Sequence, residues 1–342
     1  MMKQMKKVGS CAYLLANPVA VVSTSSVVGP VEGAGRLGEA FDYVSNDDYF
    51  GQKTWEQAES AMVSRAVGIL YDKSHLTPND TGAFFGGDLE KQCTGTSFGF
   101  RGWNLPFCGL YGACSTFAEG MALGAALIDG GYMTVAGAAA SSHFSAAERE
   151  YRMPLAYGNQ RQLCAQRTVT GCGAVLLSAE LPTERYVAVT SFAFGKMVDA
   201  GVTDPAEMGA AMAPAAYQTI TTYLEDRGKV STDYHRIYTG DLGEVGYTIL
   251  RDMTGFGWEY EDCGRLVFTP DQDTHAGGSG CGCSATVFGA YILPDMLKHP
   301  GSRVILAGTG ALLSATSTLQ GESIPGICHL VELECREGVK TC

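Results

Sequence analysis

Two stretches of this chain occur twice, in the same order. Phe84-Phe85-Gly86-Gly87-Asp88-Leu89 resembles Ile237-Tyr238-Thr239-Gly240-Asp241-Leu242. Gly112-Ala113-Cys114-Ser115, ahead of a small-residue run, resembles Cys281-Gly282-Cys283-Ser284, ahead of another. Each copy reads as strand, glycine turn, helix. A duplicated α/β half is the economical explanation, and it restricts the fold more than any other feature. The polar stretch Leu181–Arg185 separates the copies. It predicts an N-terminal half over 1–180 and a C-terminal half over 181–342.

Short β-like runs alternate with helix-length runs throughout. Strands are expected at Val8–Val22, Ala83–Gly86, Pro106–Tyr111, Tyr132–Ala140 and Thr168–Ser178. In the second half they are expected at Val187–Lys196, Tyr234–Thr239, Arg303–Ala307 and Gly326–Glu334. Helices are expected at Thr54–Tyr71, Ser115–Ile128 and Ser284–Leu297, the last interrupted near Pro294. Another runs from Asp204-Pro205 to Arg227, kinked at Pro214. Cys335–Cys342 reads as a loose tail.

Composition removes several function classes. Hydrophobic residues make up 46% and charged residues 18%, which excludes an intrinsically disordered chain. Net charge is −12 with only 24 Lys and Arg, a poor basis for neutralising nucleic-acid phosphates. Any anion must therefore be met by a local pocket. The twelve cysteines are irregularly spaced and contain no CxxC pair. They read as reduced, buried small hydrophobes, and no metal site is expected. His75, His235, His275, His299 and His329 have no partner at metal spacing and read as structural. Lys3, Lys6 and Lys7 precede the apolar run Val8–Val22 in the manner of a signal peptide. Asn17-Pro18 breaks that run, and a strand and turn is the expectation. No run of 18 apolar residues exists to span a membrane.

Cys114 is the sharpest chemical candidate. It sits between a strand and a helix, where the helix dipole and free N–H groups would lower its pKa and hold an anion. The competing reading is a small residue buried in a tight turn. His143 follows an apolar strand, at the end where open α/β sheets bind ligands. Arg149 and Arg152 stand three apart and would share a helix face able to grip carboxylates. An exposed charged helix explains them equally well. Neither glycine stretch, Ala276–Cys283 nor Gly308–Gly310, has dinucleotide or Walker A spacing, so no nucleotide cofactor is expected.

Taken together, these motifs resemble the thiolase and ketosynthase superfamily and, within it, the stage V sporulation protein AD family. The resemblance rests on Gly87-Asp88-Leu89, Gly109–Glu119, Ser141–Arg152, Thr168–Ala174, Gly195–Asp199 and Met212–Ala216. In the second half it rests on Thr239–Gly246, Ala276–Ala285 and Thr309–Ile327. It covers roughly Val8 to Glu334. It implies a five-layered αβαβα fold of two thiolase-like halves, commonly dimeric. It also implies binding of dipicolinic acid (pyridine-2,6-dicarboxylate) and help in bringing it into the developing spore. The implied partners are membrane proteins of the same operon, at the spore inner membrane, with the chain a peripheral protein there.

The chain departs from condensing enzymes where the chemistry lies. Gly240-Asp241 stands where ketosynthases place a His. No His-Pro occupies the loop Gly277–Ser284, and Ala307–Gly310 carries no second Cys. Cys114 is then a nucleophile without an identified base, and non-covalent binding is the leading expectation. An active acyltransferase or ketoacyl synthase using Cys114 is the alternative. For binding, Cys114 and Ser284 at helix starts would receive one carboxylate, and His143, Arg149, Arg152 or Lys196 the other. If calcium enters with the ligand, Asp88 and Asp241 would supply oxygens to it. Those aspartates equally suit capping the helices after their strands.

Overall fold

The computed structural model describes residues 6–150 and 161–339. Its frame is one sheet that contains the same five-strand pattern twice. The first half supplies β1 (Ala12–Val28), β2 (Ala83–Gly87), β3 (Phe107–Gly109), β4 (Val135–Ser142) and β5 (Gly171–Ser178). The second supplies β6 (Tyr186–Phe194), β7 (Arg236–Thr239), β8 (Tyr260–Asp262), β9 (Arg303–Ala311) and β10 (Gly326–Arg336). Spatial order is β3-β2-β4-β5-β1, then β6-β10-β9-β7-β8, so the second half mirrors the first strand for strand. β1 and β6 pair antiparallel and join the halves. In each half the outer three strands run parallel and the inner pairs antiparallel.

Helices complete five layers. α1 (Trp55–Ser74) covers the outer face of the first half and α2 (Thr94–Phe100) packs on it. α3 (Thr116–Asp129) lies between the half-sheets and touches strands of both, alongside α6 (Cys281–Val287). α4 (Met208–Arg227) covers the second half, with α5 (Gly243–Thr254) against it. Position explains composition here. α3 is enclosed on both sides, so Ala118, Ala122, Ala125, Gly120 and Gly124 are buried and permit close approach of the sheets. α1 needs only one apolar face, given by Ala58, Met62, Val63, Ala66, Val67 and Leu70. The Thr54 side chain caps it by accepting from the Gln57 N–H, a contact that contributes about 1 kcal/mol.

Several expectations shift for local reasons. Asn17-Pro18 does not end the first strand. The register against β6 slips between Leu14 and Val19, and the Asp129 carboxylate accepts from the N–H groups of Ala16 and Asn17. A proline without an N–H is absorbed in a bulge rather than a break. β3 is shorter than expected and is an edge strand, with Cys108 exposed. Pro214 lies inside α4 without dividing it. The helix expected at Ser284–Leu297 is three pieces: α6, a π-helical turn at Phe288–Ile292, and α7 (Leu293–Lys298), with Pro294 in its first turn. Cys335 and Arg336 are not tail but the end of β10, paired with Val187 and Tyr186. All eleven described cysteines are free thiols, eight of them buried. Among the described residues no helix is long and apolar enough to cross a membrane.

Candidate functional site

A cavity of about 500 Å³ opens between the halves at Cys114. That volume lies within the range of roughly 300–1,000 Å³ typical of small-molecule sites. Cys114 reaches it on the turn Gly112–Ser115, which leads from β3 into α3. Ala113 holds this turn with a φ of +48°, a left-handed conformation unusual for a residue with a Cβ. The turn lies directly on β9. A Cβ at Gly310 would come within 2.5 Å of the Gly112 carbonyl oxygen, and one at Gly308 within 3.1 Å of the Ser115 oxygen. Glycine in Gly308-Thr309-Gly310 is therefore what lets the second half support the cysteine turn of the first.

The surroundings of Cys114 do not favour a thiolate. Cys281 lies alongside, its S–H donating to the Ala113 carbonyl at 2.9 Å. Contact with the Cys281 thiol, then burial, then the negative charge of Asp241 push the Cys114 pKa well above its ordinary value. The expected lowering by the helix N-terminus is overturned. Neighbouring groups and exclusion of water outweigh a dipole reached through a 3-10 turn.

Asp241 forms the facing wall. One carboxylate oxygen accepts the Thr309 hydroxyl at 2.7 Å and the other accepts the Gly280 N–H at 2.9 Å. Burial pushes its pKa up to about 6, against these bonds and the Cys114 thiol. It does not cap α5. The Asp262 carboxylate does, accepting from Leu242 and Gly243. Asp88 also lines the cavity, yet its oxygens accept from the N–H groups of Glu90 and Thr96 and from the Thr96 hydroxyl. It thus ties α2 to the end of β2.

Glu90, Lys91, Glu150 and the Tyr111 phenol also line the cavity. Lys91 Nζ pairs with Glu150 at 3.2 Å. Glu90 is buried, and its carboxylate interacts with the Glu59 carboxyl and the Gly95 N–H. Burial, then the charge of Asp88, push its pKa up to about 7. Glu59 lies behind it, fully buried and raised well above the ordinary carboxyl value, first by burial and then by Asp88 and Glu90. Among the described residues the wall is rich in carboxyl groups and holds one ammonium, which already has a partner.

Of the residues singled out in sequence, Cys114, Asp88 and Asp241 meet at this cavity, and His143, Arg149, Lys196 and Ser284 are elsewhere. His143 is buried away from it. Its Nε2 bonds the Asp48 carbonyl at 2.8 Å and its Nδ1 accepts the Ala146 N–H, capping the short helix Phe144–Glu148. Burial lowers its pKa, so it is a neutral cap. Arg149 pairs with Glu56 and lies over the Trp55 ring. Lys196 lines a separate pocket of about 140 Å³ beside Cys11 and Thr219. Ser284 is buried within α6, and Ser279 is the serine of that region at the cavity. Arg152 lies outside the described residues. Glu90 was missed, although the repeat itself marks it. Asp88-Leu89-Glu90 aligns with Asp241-Leu242-Gly243, so a carboxylate stands in one half where glycine stands in the other.

Comparison with known proteins gives the family. Residues 9–334 match the model of the family Stage V sporulation protein AD (SpoVAD). The chain is 41% identical over 335 residues to stage V sporulation protein AD of Bacillus subtilis (strain 168), covering 96% of this chain and 98% of that one. Among solved structures, OleA of Xanthomonas campestris is similar with a TM-score of 0.61 at 14% identity, covering 94% of this chain and 99% of that one. The 3-oxoacyl-(acyl-carrier-protein) synthase III of Aquifex aeolicus VF5 gives 0.55 at 10% identity, with coverage of 92% and 99%. At such identities the likeness is one of fold, the thiolase-like αβαβα architecture.

Proposed function

The chain belongs to the stage V sporulation protein AD family, and on that premise we propose that it binds dipicolinic acid as its calcium chelate, without covalent chemistry. The ligand would sit in the Cys114 cavity, and binding would support its uptake into the developing spore. The observation that carries this reading is the charge of the wall. Among the described residues, Asp88, Glu90, Glu150 and Asp241 face the cavity, against Lys91 alone. A bare dianion would meet mostly like charge. A calcium chelate presents a hard cation with open coordination positions, and carboxylate oxygens are its preferred ligands. Glu90, a cavity-lining carboxyl outside the Asp88 and Asp241 hydrogen-bond sets, would reach the metal from the wall. The slot also has apolar sides, from Met208, Met212 and Leu313, suited to a flat ring.

Condensing chemistry is the weaker reading. A cysteine nucleophile needs a thiolate or an adjacent base. Cys114 has a raised pKa, and among the described residues no histidine lines the cavity. In the cell, membrane proteins of the same operon would hold the chain at the forespore inner membrane as a peripheral homodimer.

Titration calorimetry with dipicolinate, with and without calcium, tests the reading. The chelate is expected to bind at micromolar Kd, and Glu90→Gln to weaken it about tenfold, or 1.4 kcal/mol. The raised carboxyls set the pH dependence. Glu90 and Asp241 are protonated below about pH 6 and ionised above about 7. Chelate affinity should therefore rise across that interval, while any binding of the free dianion should fall. Tighter binding of the free dianion at high pH, or acyl-CoA labelling of Cys114, would overturn the reading.

A further inference from the structure

At the far end of β7 from the cavity, three side chains that nothing in the proposed function uses converge. His235 immediately precedes β7, whereas Asp241 follows its other end. At about 3.3 Å per strand residue the two are up to roughly 20 Å apart. Asp295 lies in α7 and His299 caps its C-terminus, four positions on, so both project from one helix face. The His235 Nε2 and an Asp295 carboxylate oxygen are 3.2 Å apart. His299 Nδ1 is 3.7 Å from the other carboxylate oxygen and 2.9 Å from the Asp295 carbonyl. The two imidazole rings lie 4.6 Å apart between centroids. One ligand atom from each residue falls within 4.8 Å of the other two.

In the sequence these histidines have no partner at metal spacing and read as structural. The fold supplies the missing ligand. The backbone also fixes the arrangement, since the His235 N–H donates to the Arg303 carbonyl at the start of β9. Among the described residues, the ion partners of Asp295 are these two imidazoles, so no lysine or arginine competes for its carboxylate. His235 and Asp295 are about a quarter exposed and His299 about half, which leaves an entry path from solvent.

We propose that His235, Asp295 and His299 form a binding site for a late first-row divalent cation such as zinc. Two nitrogen donors and one carboxylate suit zinc, nickel or cobalt and are a poor cage for calcium, which takes six to eight oxygens. For the metal to bind His235 Nε2, any proton on that nitrogen leaves to Nδ1 or to solvent, and the metal takes the place of the Nε2–Asp295 hydrogen bond. Three protein ligands leave the fourth tetrahedral position to water or to a donor from a partner. The site is thus separate in place and in metal preference from the carboxylate-lined cavity.

The test uses full-length protein without a histidine tag, stripped with chelator and titrated with zinc, then with cobalt followed by visible absorption. One equivalent of zinc is expected at micromolar Kd. Cobalt should show ligand-field bands without a thiolate charge-transfer band. His235→Ala and Asp295→Asn should each weaken zinc at least tenfold, and His235→Ala/His299→Ala should abolish saturable binding. Cys114→Ala and Glu90→Gln should leave it unchanged. Circular dichroism on each variant confirms folding, and His299→Gln at the exposed member provides a mild alternative. Saturable binding that survives the double variant, a thiolate band, or affinity no tighter than millimolar would overturn the proposal.

Discussion

Asp88 follows β2 in the first half and Asp241 follows β7 in the second, so the duplication places them equivalently. Their carboxylates do different things. Asp88 holds only its own half, binding Glu90 and Thr96 a few residues on. Asp241 reaches across its half to the Gly280 N–H and the Thr309 hydroxyl, and it faces Cys114 from the other half. The helix-entry turns differ likewise. Gly280, with a φ of +105°, precedes Cys281, while Ala113, with a φ of +48°, precedes Cys114. One duplicated frame thus supplies a cysteine turn from one half and a supporting wall from the other. Equivalent backbone positions do not imply equivalent roles, because each side chain answers to whatever the opposite half brings near it.

The comparison breaks most visibly at Gly280. Gly280→Ala adds a Cβ within 2.6 Å of the Ser142 hydroxyl, in a conformation that disfavours any side chain. It should cost about 3 kcal/mol in denaturant unfolding. A neutral result would mean that this glycine turn is not a fixed support. The aspartates come next. Asp241→Ala leaves the buried Gly280 N–H and Thr309 hydroxyl without their acceptor, at about 1–3 kcal/mol. It should also weaken the chelate about tenfold. Asp88→Ala should destabilise by a similar amount and change affinity less than threefold, because its bonds stay within its own loop. Equal effects on affinity would erase the distinction. The smallest effect is expected at the other turn. Ala113→Gly relieves left-handed strain and should stabilise by about 1 kcal/mol, read as a rise in midpoint.

Much of the frame was legible because its causes are local. Thr54 before Trp55 announces a capped helix, and the apolar spacing from Ala58 to Leu70 gives it a buried face. The recurring Gly-Asp-Leu turn gave the duplication, and the strand order repeats accordingly. Misreadings cluster where a neighbour distant in sequence intervenes. Asn17-Pro18 looked like a break because Asp129, which satisfies its bulge, is over a hundred residues away. His143 looked functional because its partner, the Asp48 carbonyl, could not be seen.

The site divides along the same line. By itself the sequence determined that two similar α/β halves would form, that a cysteine would stand at the start of a small-residue helix, and that aspartates would end the two equivalent strands. These follow from periodicity, turn chemistry and repetition, which act over a few residues. Only the tertiary structure decided that Cys114 remains a thiol, that Glu90 lines the cavity in front of Glu59, and that His235 meets Asp295 and His299. Each of those depends on exclusion of water and on charges brought from remote segments. Electrostatic effects of that kind are set by distances through space and by burial, and neither is written in the order of residues.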